Sequence, residues 1–95
     1  MSLPQNKIEK RIIKVQNKLG LHARPCSLLV KAASKFRSDF EIKKDNLNVN
    51  GKSIMGVMML AAEYGSELEL IFTGVDATEA METIVEIFQN KFEEE

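Results

Sequence analysis

The sequence predicts an α+β open-faced sandwich, an antiparallel sheet with helices packed on one of its faces. Three observations carry this. Strand-period and helix-period stretches alternate in the order βαββαβα. The strand stretches alternate apolar and polar residues, as in a sheet with one buried and one solvated face. Few of the connections are long enough to hide a further strand. Residues 1–8 read as a flexible N-terminal tail, 9–92 as the domain, and the acidic 93–95 as a short solvated end.

The first strand is EKRIIKV at 9–15, with Ile13 and Val15 on one face. NKLG then breaks the pattern, and from Ala23 the period changes. Cys26, Leu28, Leu29, Ala32, Ala33 and Phe36 form one helical stripe. Pro25 fits only a first turn, where the amides lack intrahelical partners, so this helix starts near His22 or Ala23. DFEIKK at 39–44 is the second strand, with Phe40 and Ile42 inward, and Leu47–Asn50 is a short third one. Ser53 is placed as the N-cap of a helix over SIMGVMMLAA, and Gly65 suits its stop. ELELIF at 67–72 is the fourth strand, with Leu68, Leu70 and Phe72 alternating. Asp76 with Glu79 resembles a capping box. The last helix turns Ala80, Met81, Ile84, Val85, Ile87, Phe88 and Phe92 inward.

Size and charge narrow the function classes. A domain of 95 residues buries only about 60% of its unfolded surface, enough for one core but not a deep cavity. Chemistry is therefore expected at the surface. The net charge of −1 points neither to nucleic acid nor to an anionic membrane. One cysteine excludes an internal disulfide and suits a reducing compartment. No run reads as a signal peptide or a bilayer span, so a cytoplasmic protein is expected.

The only histidine, His22, lies in LGLHARP at 19–25. Gly20 permits a sharp turn before it. The backbone amides of Ala23 and Arg24, with the helix dipole, would attract an anion. The Arg24 guanidinium can grip phosphate through two hydrogen bonds. Imidazole is a competent nucleophile near neutral pH. The pattern suits a histidine that takes a phosphoryl group and hands it on; a plain surface cap is the competing reading. No second histidine or cysteine–carboxylate cluster completes a metal site, and no cofactor is expected.

These stretches carry a resemblance. LGLHARP is similar to the phosphohistidine motif of the HPr family, the histidine-containing phosphocarriers of the phosphoenolpyruvate-dependent phosphotransferase system. VNGKSIMGVMML at 49–60 resembles that family's regulatory serine stretch, at the same separation and without a gap. The likeness runs from about residue 9 to about residue 92. It implies a four-stranded antiparallel sheet with three helices on one face. It also implies that enzyme I phosphorylates His22 on Nδ1, that Arg24 steadies the phosphoryl group, and that an enzyme IIA domain accepts it. Ser53 would be phosphorylated from ATP by an HPr kinase/phosphorylase, with a catabolite-control regulator as a further partner.

Ile54, Met55 and Met58 are expected as an exposed docking patch, since methionine adapts to several partners. Ser27 and Lys31, on the same side of the first helix as Arg24, would extend it. The chain is read as a monomer with protein partners only. Two departures stand out. Cys26 occupies a position usually held by alanine, as either a first-turn thiol of lowered pKa or a small buried apolar residue. NKLG and FQNKFEEE resemble the nitrogen-related branch, whereas KSIMGVM resembles branches under serine-kinase control, so the pathway stays open. The alternative is a regulatory binding module that acts by docking, with His22 vestigial. A small adaptor without phosphorylation fits an intact LGLHARP less well.

Overall fold

The computed structural model describes residues 7–94. Its elements are β1 (Lys7–Lys14), α1 (Ala23–Ala33), β2 (Asp39–Lys44), β3 (Leu47–Asn50), α2 (Ile54–Met59), β4 (Glu67–Gly74) and α3 (Ala77–Gln89). A 3-10 turn at Lys91–Glu93 follows. The order is βαββαβα, as the periodicities predict. β1 begins earlier than expected. Lys7 and Ile8, assigned above to the tail, pair with Gly74 and Thr73. Residues 1–6 of that tail lie outside the described residues.

The four strands run antiparallel in the order β1-β4-β2-β3. Register sets the core. Ile42 lies opposite Leu70 on one side and Val49 on the other. Phe40 lies opposite Phe72, and their rings stack at 4.1 Å between centroids and 7° between planes. This apolar face is covered by three helices. Cys26, Leu29 and Ala33 of α1, Val57 of α2 with the following Leu60, and Ala80, Met81, Ile84 and Phe88 of α3 join one core. Each large aliphatic or aromatic side chain so buried contributes about 1.5–3 kcal/mol, which is what holds the helices to the sheet. On the opposite face Ile8 and Ile12 of β1 stand exposed. Ile71 points the same way but is buried between Lys10 and Glu41, whose long stems flank it.

Three local expectations fail for tertiary reasons. Leu28 is exposed, not core, because it lines an open groove between α1 and the end of α3. Gly65 does not stop α2. That helix ends at Met59 with Leu60 as its cap, and Ala61 turns the chain at φ 47°, while Gly65 at φ 87° serves the turn into β4. Asp76 is the N-cap residue of α3, but its carboxylate bonds none of that helix's amides. It accepts from the Arg37 and Ser38 amides and the Ser38 hydroxyl, tying the α1–β2 loop to the start of α3. These bonds hold the Asp76 carboxyl below its ordinary pKa, the Ser38 hydroxyl contributing most. The expected partner Glu79 stays exposed.

Candidate functional site

The turn before α1 presents His22. Asn17 is fully buried, and its side-chain amide donates to the Gly20 carbonyl at 2.7 Å. The Gly20 amide returns a bond to the Asn17 carbonyl at 3.1 Å. Gly20 takes φ +71°, and a Cβ there would lie 2.5 Å from the Ala62 carbonyl oxygen. Only glycine permits both the conformation and that approach. The next amide, of Leu21, donates to the same Ala62 oxygen at 2.8 Å. Leu21 is buried, and extended backbone at His22 (φ −80°, ψ −172°) sends the imidazole the other way. It is 38% exposed.

α1 starts at Ala23, with the Cys26 amide donating to the His22 carbonyl at 3.1 Å. His22 is the N-cap residue, yet its ring caps nothing in the helix. Pro25, the third helical residue, removes an amide that a capping side chain would seek. The Ala23 and Arg24 amides thus have no hydrogen-bond partner among the described residues and stand as donors at the positive end of the dipole. The ring is left for other chemistry.

That chemistry has a second contributor. Beyond α3, Lys91, Phe92 and Glu93 take left-handed φ values of 54°, 55° and 61°. The chain doubles back, and buried Phe92 packs edge-on against Phe88 with centroids 5.0 Å apart. Glu94 is carried onto the site. One of its oxygens lies 2.8 Å from His22 Nε2 and 3.3 Å from Arg24 Nη1, and the other accepts from the Asn17 side-chain amide at 3.0 Å. Arg24 Nη1 also donates to the Phe92 carbonyl at 3.0 Å. The Glu94 carboxyl is held below the usual carboxylate range, first by Asn17 and then by His22 and Arg24, against an opposing desolvation. Of the acidic end expected to be solvated, Glu93 is exposed but Glu94 is folded onto the histidine, its side chain only 15% exposed, and Glu95 lies outside the described residues.

Ser53 caps α2, its hydroxyl accepting from the Gly56 amide at 3.0 Å. α2 packs against α1. Ile54, Met55 and Met58 are exposed as expected, and so is Met59, because on a helix of six residues Val57 alone turns inward. Ser27 and Lys31 are exposed on α1. Cys26 is buried, its thiol donating to the Leu21 carbonyl at 3.3 Å and pushed up in pKa by burial, so the lowered-pKa alternative fails. Among the described residues no cluster of three or more His, Cys, Asp or Glu could hold a metal ion, and no helix is long and apolar enough to cross a membrane.

The fold thus gathers His22 with Arg24 and the two amides, and places Ser53 with the Met patch on α2. Sequence reading missed Asn17 and Glu94. Asn17 had a faint signal, an asparagine three residues before a turn glycine. Glu94 had none of its own, although an apolar Phe92 two residues earlier hinted that the chain returns to the core.

A model of the PTS HPr component phosphorylation site matches residues 9–90. The phosphocarrier protein HPr of Treponema pallidum (strain Nichols) is 52% identical over 85 residues, spanning 90% of this chain and 97% of that protein. Among solved structures, HPr of Thermoanaerobacter tengcongensis superposes with a TM-score of 0.89 at 45% identity, covering 92% of this chain and 98% of that one. Crh, a Bacillus subtilis catabolite repression protein described as a swapped dimer, superposes at 0.71 with 44% identity, over 83% of this chain and 91% of its own. With the whole βαββαβα domain matched and the histidine at the start of its first helix, this chain belongs to the HPr family of phosphotransferase-system phosphocarriers.

Proposed function

We propose that this chain is a phosphoryl carrier between protein partners, with His22 as the residue loaded. Phospho-enzyme I donates, and an enzyme IIA domain accepts. The lone pair of Nδ1 attacks phosphorus in line as the bond to the donor histidine breaks, and that electron pair returns to the donor ring. The reverse chemistry unloads the group onto the acceptor. The carrying observation is the uncapped start of α1, where imidazole, the Ala23 and Arg24 amides and the Arg24 guanidinium share one end of a helix. The dipole supplies about 0.3–1 kcal/mol and a charge-assisted hydrogen bond about 1.5–3 kcal/mol. Such terms hold a phosphoryl group without trapping it.

The docking face combines Ser27 and Lys31 with Ile54, Met55 and Met58, to which Met59 is added. Contact with partners is transient, so a modest area is expected. The chain works as a cytoplasmic monomer without a cofactor. Ser53 is proposed as a regulatory site, loaded from ATP by an HPr kinase/phosphorylase and read by a catabolite-control regulator. Phosphate is electrostatically favoured at a helix N-terminus. The likeness to Crh favours a second reading, in which docking alone is the function.

The experiment is incubation with phosphoenolpyruvate and enzyme I. An acid-labile phosphate on His22, absent from His22→Ala, is expected. A His22→Ala variant with full partner affinity and a wild-type protein that takes up no phosphate would support the docking reading instead. ATP with the kinase, followed by mass spectrometry, tests Ser53, and modification elsewhere refutes it.

A further inference from the structure

The carboxylate of Glu94 meets the ring of His22 at a particular nitrogen. Nε2 lies 2.8 Å from Glu94, while Nδ1 has no bonding partner among the described residues. A carboxylate only accepts, so Nε2 must carry the proton in this arrangement. The neutral ring then has its lone pair on Nδ1. In free neutral imidazole the two tautomers interchange, and the partner of one nitrogen decides the state of the other.

Glu94 is itself fixed. Asn17 is fully buried and spends its side-chain amide protons on the Gly20 carbonyl, inside the turn, and on Glu94. The residue that shapes the turn before His22 therefore also aims the carboxylate at it. Arg24 steadies the other Glu94 oxygen at 3.3 Å and the Phe92 carbonyl at 3.0 Å, both through Nη1. Its Nη2 and Nε are left for an anion.

We propose that Asn17 and Glu94 are positioning residues for His22: Glu94 holds the proton on Nε2 and presents the Nδ1 lone pair, and Asn17 holds Glu94. The inference rests on the phosphoryl-carrier reading. As Nδ1 bonds to phosphorus, positive charge spreads over the ring, and the Nε2–H drawn towards Glu94 disperses it. The proton stays on Nε2 throughout. When the phosphoryl group leaves, the electron pair of its bond returns to Nδ1. A buried carboxylate orients an imidazole in hydrolase triads in a related way, with the roles of the two ring nitrogens exchanged, and here it acts at a half-exposed surface.

The test uses the whole protein and two readouts. Long-range ¹H–¹⁵N NMR of the imidazole in the neutral state reports the tautomer without any partner protein. Wild type should show the Nε2–H form predominating. Glu94→Ala should move towards the mixture of a free histidine, and Asn17→Ala should move part of the way. Glu94→Gln, whose amide oxygen still accepts from Nε2, should restore the wild-type tautomer. Phosphorylation by enzyme I supplies the second readout. Glu94→Ala should slow loading about 10-fold at saturation with little change in KM, by analogy with the loss when a metal-ligating histidine is deprived of its orienting carboxylate. Should Asn17→Ala fail to fold, Asn17→Ser keeps a small donor, and its tautomer is read instead. An Nδ1–H tautomer in wild type, or Glu94→Ala with an unchanged tautomer, overturns the proposal. Loss of tautomer control in a wild-type-like loader overturns it too. A wild-type protein that never loads, yet keeps the Nε2–H form, refutes the carrier reading and leaves the positioning geometry standing.

Discussion

Phe92 is the anchor of the returning segment, and Phe92→Ala measures how firmly Glu94 is held. A buried phenylalanine cut to alanine normally costs about 3–5 kcal/mol. That value assumes that the surroundings stay in place, and here they need not. Lys91, Phe92 and Glu93 are all left-handed, at about 1–2 kcal/mol each, or about 3–6 kcal/mol of strain together. Against it stand about 1.5–3 kcal/mol for burying the Phe92 ring. Its edge-on pair with Phe88 adds about 0.5–1.5 kcal/mol. The bond from Arg24 to the Phe92 carbonyl adds about 1 kcal/mol. The two sides nearly balance, so the truncated segment lets go instead of stretching over a cavity. Glu94 adds its bonds to Asn17 and His22, about 1 kcal/mol each, so the loss at equilibrium is expected near about 2 kcal/mol, below the value for an interior ring. Urea denaturation checks this, with Phe72→Ala as the interior reference at about 3–5 kcal/mol, since Phe72 sits in the central strand with no means of escape. The Phe92→Ala protein should also lose protection of amides 91–94 and the Nε2–H preference of His22. A loss of 4 kcal/mol or more would refute the detachment reasoning, and so would an unchanged His22 ring.

The remaining predictions are simpler. Ser53→Ala removes the bond to the Gly56 amide and should cost about 1 kcal/mol in denaturation, whereas Ser53→Asp keeps an acceptor and should recover most of it. Acid should weaken the fold through Asp76 and Glu94, whose folded pKa values lie below their unfolded ones. The unfolded chain then binds protons first, so their contribution is present above an ordinary carboxylate pKa near about 4 and disappears as pH falls through the folded values. Denaturation between pH 2 and 7 should show that slope, reduced in Asp76→Asn. Cys26 should react with thiol reagents only as fast as the protein opens, because its thiol is buried and its pKa raised; rapid labelling of the native protein would contradict this.

Elements defined by local period were legible in the sequence. The start of α1 followed from Pro25, and the inward Phe40 and Ile42 from strict alternation, because a strand's faces repeat every two residues wherever it sits. Errors fell where a distant partner outbid the local one. Asp76 had a cap to make three residues away and instead bonds Arg37 and Ser38 across the fold. Met59 joins the exposed patch because α2 is too short to bury more than Val57. At the site, His22 and Arg24 were readable because they share one turn of chain. Glu94 was not, since its contact with His22 closes a loop of 72 residues that no periodicity records.

The place of β4 also bears on how the protein is made. It is the strand that joins β1 to β2, and it comes late in the chain. A growing polypeptide that has reached α2 can close only the β2–β3 hairpin, while β1, already synthesised, waits without a neighbour. Such dominance of distant pairings makes for slow, all-at-once folding. It also means that a product stopped before residue 67 has neither the sheet nor the Ala62 shelf backed by it. Its LGLHARP would be a loose peptide, with nothing to aim the ring until the rest of the chain arrives.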